Sequence, residues 1–243
     1  MKILLINDSC KEVGGAETYI FAISKLLKKN HEVFLYSFAD TEENENNRRI
    51  IPHSKGLTQQ FNRFFFNFQA YSQLRKYIQK VKPDIVFMHN NYVYSNSVLL
   101  ALKKEKIPVL QTVHDWGLFC PSSWCVIKKN FKRCNGYEGS SINCLLNGCV
   151  QPHHFFLGYL RNKIRIKLTK KTIKHFVSPS KMLAEDLVKH KFPSVQCIHN
   201  FMEFDTKEID LKSSEKGLIL YVGVLSKNKG VEFLIKAFKE VIK

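Results

Sequence analysis

Lys2-Ile3-Leu4-Leu5-Ile6-Asn7-Asp8, Gly14-Gly15-Ala16-Glu17 and Glu32-Val33-Phe34-Leu35-Tyr36 decide the fold. The first stretch is a short apolar run closed by turn residues, which reads as a buried strand. The paired glycines open a segment with apolar residues at Ala16, Tyr19, Ile20, Ile23, Leu26 and Leu27, a helical spacing. The third stretch reads as a second strand. Strand, helix, strand is the unit that builds a parallel sheet, so the chain is expected to be α/β, with a Rossmann-like parallel sheet flanked by helices.

The same alternation continues. Asp40 to Asn47 carries no apolar period and reads as a surface loop. Phe61, Phe64, Phe65, Phe68, Tyr71, Leu74 and Ile78 share one helical face, and Pro83-Asp84 ends that helix. Strands are expected at Ile85–Met88, Pro108–Val113, His175–Ser178 and Val195–Ile198, and helices at Asn96–Lys104, Leu157–Thr172 and Lys181–Lys189. Glu203 to Lys216 is polar and reads as a linker. After it Leu218–Gly223 reads as a strand and Val231–Ile242 as an amphipathic helix. The expected domains are 1–205 with a Cys-rich insert at 116–151, a linker at 206–216, and at 217–243 the first strand and helix of an incomplete second Rossmann-like domain.

Hydrophobic residues make up 44% of the 243 and charged residues 24%, the balance of a folded globular protein. No apolar run approaches the roughly 18 residues of a membrane span. The amino terminus has no small-residue cleavage site, so the expected location is the cytoplasm. The net charge is +17, and Lys128 to Lys191 alone holds 14 Lys+Arg against 3 Asp+Glu. Such a patch attracts nucleic acid, an anionic membrane or phosphorylated substrates, and a Lys-rich genome would raise the same number with no function attached. A specific nucleic-acid reader is not expected, because no RNP, helix-turn-helix or finger pattern is present.

Three sequences carry candidate chemistry. Gly14-Gly15-Ala16-Glu17 joins a strand to a helix, where glycines let a ligand approach the backbone and the helix start offers amides to an anion. It lacks the dinucleotide spacing and reads equally as a tight turn. His114-Asp115 closes an apolar strand, where a His serves a substrate hydroxyl or lies in solvent. Gly223 to Gly230 again joins strand to helix, with Lys229 either reaching phosphates or belonging to a polar turn.

In order and spacing these signals, with Ser178-Pro179-Ser180 and His199-Asn200-Phe201, resemble the retaining GT-B glycosyltransferases of family 4. The resemblance covers nearly the whole chain. It implies transfer of a sugar from a nucleotide-sugar donor to a glycan or lipid-linked acceptor, with retention, in surface polysaccharide synthesis. By it, Gly14, Gly15 and Glu17 lie near donor and acceptor, and His114 is catalytic. Asp115, Asn200, Lys229 and Gly230 complete the binding set, with cations rather than a metal stabilising the leaving diphosphate. Two departures stand out: Val224 replaces the family's Arg, and the family's Glu-rich donor site lies beyond Lys243. The expectation is therefore a truncated or split enzyme with little activity on its own. The competing reading is a non-catalytic acceptor-binding subunit that works with a complementary C-terminal-domain chain.

Cys120, Cys125, Cys134, Cys144 and Cys149 fall within the insert. They read as reduced structural thiols, or as a structural zinc held by Cys120, Cys134, Cys144 and Cys149. Arg161, Lys163, Arg165, Lys167, Lys170, Lys171 and Lys174 lie in and just after one helix, beside a stripe of Leu157, Leu160, Ile164 and Leu168. That helix packs on the sheet with its charges solvated, or lies on an anionic membrane at the inner face of the cell membrane.

Overall fold

The computed structural model describes residues 1–9, 14–37, 47–49, 66–92, 95–134, 142–201, 218–226 and 229–241. The chain divides into two compact units, Met1–Glu203 and Phe204–Lys243.

The first unit is a seven-stranded parallel sheet in the order β3-β2-β1-β4-β5-β6-β7. The strands are β1 (Lys2–Asn7), β2 (Glu32–Ser37), β3 (Asn47–Arg49), β4 (Ile85–Met88), β5 (Val109–Thr112), β6 (His175–Ser178) and β7 (Val195–Cys197). The first unit's helices are α1 (Gly15–Leu27), α2 (Phe68–Val81), α3 (Ser95–Glu105), α4 (Ile142–Leu146), α5 (Pro152–Thr172) and α6 (Lys181–Lys189). Side chains alternate across a strand, and β1 buries both sets. Leu4 and Ile6 join Leu74, Ile78, Val98 and Leu102 in one core, while Ile3 and Leu5 join Ile20, Val33 and Leu35 in another. Burial on both faces explains an uninterrupted apolar strand. Each such side chain contributes roughly 1.5–3 kcal/mol.

Local signals end the helices where the sequence places the breaks. Asn67 caps α2 by accepting from Ala70 N at 2.7 Å. Lys82 ends α2 in the left-handed conformation just before Pro83. Phe61, Phe64 and Phe65 lie outside the described residues. Asn47, expected at the end of a loop, instead begins the short edge strand β3.

Two expectations need correction. Of the expected apolar stripe of α5, only Leu168 packs on the core. Leu157 and Leu160 are 47% and 42% exposed and Ile164 is exposed too, while Arg165, Ile166 and Thr169 are buried. Polar partners set the rotation: Arg165 Nη2 donates to Gly117 O at 2.5 Å and Leu118 O at 3.2 Å. A buried guanidinium must find acceptors, and that requirement outweighs an apolar stripe. The second correction concerns Leu218–Gly223, which is not a strand. In the second unit α7 (Val231–Val241) forms as expected, but none of its residues is buried. A strand needs a neighbour to bond, and the described residues of this unit provide none.

Candidate active site

The sheet order reverses between β1 and β4, the place where open parallel sheets hold ligands beyond the carboxyl ends of their strands. Short polar bonds tie the two strand ends together. Asn7 Oδ1 accepts from Asn90 N at 3.0 Å, and Asp8 Oδ2 accepts from Tyr92 N at 2.7 Å. Asn7 Nδ2 donates to Ser9 O at 2.6 Å and more weakly to Glu17 Oε1 at 3.5 Å, linking β1 to the first turn of α1. No side chain caps α1 at Gly14. A Cβ at Gly15 would meet nothing within 4 Å, so the packing around it does not demand a glycine.

His114 follows β5 and faces His89, which follows β4. His89 Nδ1 lies 3.2 Å from His114 Nε2, and the rings stack with centroids 5.5 Å apart. Tyr19 of α1 stands edge-on to both, at 6.0 and 5.7 Å, and Phe201 packs on Tyr19 at 5.7 Å. Burial holds His89 well below the usual histidine range, and the charge of His114 adds to this. Burial lowers His114 to about 4 although the Asp115 charge opposes it. Both rings are therefore neutral near pH 7, and of the two facing nitrogens one donates and the other accepts. His89 Nε2 is buried without a hydrogen-bond partner among the described residues.

Asp115 does not orient His114 as a relay. Its Oδ1 accepts from Tyr92 Oη at 2.6 Å and Gly117 N at 2.7 Å, capping the 3-10 turn Trp116–Leu118. Tyr92 presses so close that a Cβ at Gly117 would lie 2.4 Å from its hydroxyl, so only glycine fits. The structure thus brings Gly14, Gly15, Glu17, His114 and Asp115 to one edge of one sheet. Asn200 is exposed just beyond β7 and next to Phe201. Lys229 and Gly230 belong to the second unit, where Gly230 is left-handed (φ 73°) and its carbonyl accepts from Leu234 N at the start of α7.

The cysteines do not assemble as the zinc reading requires. Cys120, Cys125 and Cys134 are neighbours: Cys125 Sγ donates to Cys134 O at 3.5 Å, and the hydrogen bond between the Cys120 and Cys125 sulfurs lowers the Cys120 thiol and raises that of Cys125. Cys149 N donates to Cys144 O around α4. Among the described residues no group of three or more His, Cys, Asp or Glu is placed to hold a metal ion. The insert is instead clamped to α6 by Asp186, which accepts from Trp116 Nε1 at 2.7 Å and Arg133 Nη2 at 2.9 Å.

His89, Tyr92 and Asp186 escaped the sequence analysis, and Tyr19 and Arg165 entered it only as an apolar helix position and a charge of the basic helix. His89 was within reach, because it follows a buried strand as His114 does. The others are recognisable only by their tertiary partners.

An open parallel sheet with its polar cluster at the order reversal defines a Rossmann-like domain, a class of fold that holds ligands beyond its strand ends. Residues 13–205 match the model of Glycosyltransferase Family 4, and the chain belongs to that family. An uncharacterized glycosyltransferase of Methanocaldococcus jannaschii is 24% identical over 99% of this chain, and the chain spans 57% of that relative's length. Among solved structures, MurG of Acinetobacter baumannii aligns at 14% identity over 86% of this chain and 48% of its own, with a TM-score of 0.47. The UDP-GlcNAc 2-epimerase of Neisseria meningitidis bound to UDP-GlcNAc aligns at 15% over 82% and 47%, with a TM-score of 0.49. No helix among the described residues is long and apolar enough to cross a membrane.

Proposed function

We propose that this chain supplies the acceptor side of a glycosyltransferase that moves a sugar from a nucleotide-sugar donor to a glycan or lipid-linked acceptor, with retention, in surface polysaccharide synthesis. The observation that carries the reading is the neutral His89–His114 pair, packed on Tyr19 of α1 at the carboxyl ends of β4 and β5. A neutral His114 donates or accepts a hydrogen bond at a sugar hydroxyl without adding charge. The open space at Gly15 lets the donor diphosphate approach the uncapped start of α1. Glu17, Asp115 and Asn200 contact donor or acceptor, and Lys229 and Gly230 are the donor-binding residues of the second unit. No metal takes part in this scheme.

A second reading, a subunit that needs a complementary donor-side chain, is favoured by the second unit. Leu220 is 76% and Val222 85% exposed, so an apolar surface awaits cover. Contact with an anionic membrane at the inner face of the cell membrane is favoured by α5, whose exposed Phe156, Leu157, Leu160 and Ile164 sit among lysines.

Calorimetry with UDP, GDP and their sugars tests the division of labour. The chain alone is expected to bind them weakly, and a version completed by a donor-side chain tightly. Tight binding by residues 1–243 alone would overturn it. In the completed enzyme His114→Asn is expected to lower transfer by roughly 10²-fold or more with donor binding little changed. Unchanged turnover would remove His114 from the mechanism.

A further inference from the structure

A second cleft, of about 390 Å³, lies between α5 and the loop after the 3-10 turn. Gly158, Arg161, Asn162 and Arg165 of α5, spaced i, i+3, i+4, i+7, form one wall, and Cys120 and Ser123 belong to the other. Arg165 is fully buried, and burial lowers its pKa. Its guanidinium donates to the carbonyls of Gly117 and Leu118, and among the described residues it forms no salt bridge and its Nε has no hydrogen-bond partner. Asp115 and Asp8 act on it only at longer range. A buried cation without an ion-pair partner is costly, and an anion in the adjoining cleft would offset that cost.

Gly158 supplies an independent observation. Glycine weakens a helix interior. Yet a Cβ at Gly158 would meet nothing within 4 Å, so no neighbour in the fold requires its absence. Gly158 leaves that stretch of the cleft wall without a side chain. No carboxylate lines the cleft among the described residues.

We propose that this cleft binds a phosphate group, carried by a phosphorylated acceptor, with Arg161 and Arg165 as its cationic floor. Guanidinium suits that role because its fork matches phosphate oxygens. The acceptor identity rests on the transferase reading, but phosphate binding does not, so the two can fail separately.

The test is ¹⁵N NMR of the full chain titrated with inorganic phosphate, a soluble sugar phosphate, and phosphatidylcholine vesicles with and without a polyprenyl phosphate. Saturable shifts at Gly158 and the arginine side chains are expected. Gly158→Asp, which places a carboxylate in open space, is expected to weaken binding at least tenfold, and Gly158→Ala by less than twofold. Ser123→Asp repeats the charge test from the opposite wall, at a left-handed position that tolerates Asp. Preference for the sugar phosphate identifies a soluble acceptor, and preference for polyprenyl phosphate vesicles a lipid one. Absence of saturable shifts, or binding indifferent to both Asp variants, overturns the site. Phosphate binding by the chain, with no sugar transfer by the enzyme completed with a donor-side chain, keeps the site and sinks the transferase reading.

Discussion

Lys2–Asn7 and Leu218–Gly223 are written alike, as short apolar runs ahead of a polar turn and an amphipathic helix. They end differently. The first is the middle of a sheet with Leu4, Leu5 and Ile6 fully buried. The second pairs with nothing among the described residues and leaves Leu220 and Val222 exposed. A helix closes its hydrogen bonds within itself, so α1 and α7 both form. A strand borrows its bonds from neighbours, so the same local pattern becomes β1 in one unit and an unpaired run in the other.

Hydrogen exchange should separate the two runs most sharply. Amides of Leu4 to Ile6 are expected to exchange at least about 10³-fold more slowly than those of Ile219 to Val222. Comparable rates would mean the second run is paired in solution. Next in size, Leu4→Ala should cost about 3 kcal/mol in urea unfolding. The fluorescence of Trp116 and Trp124 follows this, because both tryptophans lie in the first unit.

Acid gives a smaller, graded effect in the same unit. The unfolded histidines protonate near 6.5, while folded His114 stays neutral down to about 4 and folded His89 is held well below its usual range. Between those values the unfolded chain binds more protons. Stability should therefore be flat above about pH 6.5 and fall below it, by about 1.4 kcal/mol per pH unit for each neutral histidine. His114→Asn should flatten that slope, and an unchanged slope would mean His114 is charged when folded. Smallest of all, Ile235→Ala on the exposed face of α7 should shift helix melting, followed by circular dichroism, by less than about 0.5 kcal/mol. A larger loss would show that this face is covered.

Much of the fold is legible in the residues because local physics writes it. Apolar runs, helical spacing and Pro83 mark all the strands of the sheet except β3, and His114 was found by its place after β5. α5 was misoriented because periodicity counts leucines and cannot see that Arg165 has two carbonyls to satisfy. The zinc reading failed because spacing along the chain says nothing about where Cys144 and Cys149 go once α4 forms.

The sequence by itself determined an α/β chain, its alternation of strands and helices, its basic charge and its glycine-opened first turn, since each depends on neighbours within a few residues. The tertiary structure alone decided the strand order that puts β1 beside β4, the facing of His89 and His114, and the burial of Arg165 beside an open cleft. Those depend on groups 25 to 84 residues apart, whose meeting is set by packing and by the need to satisfy buried polar atoms.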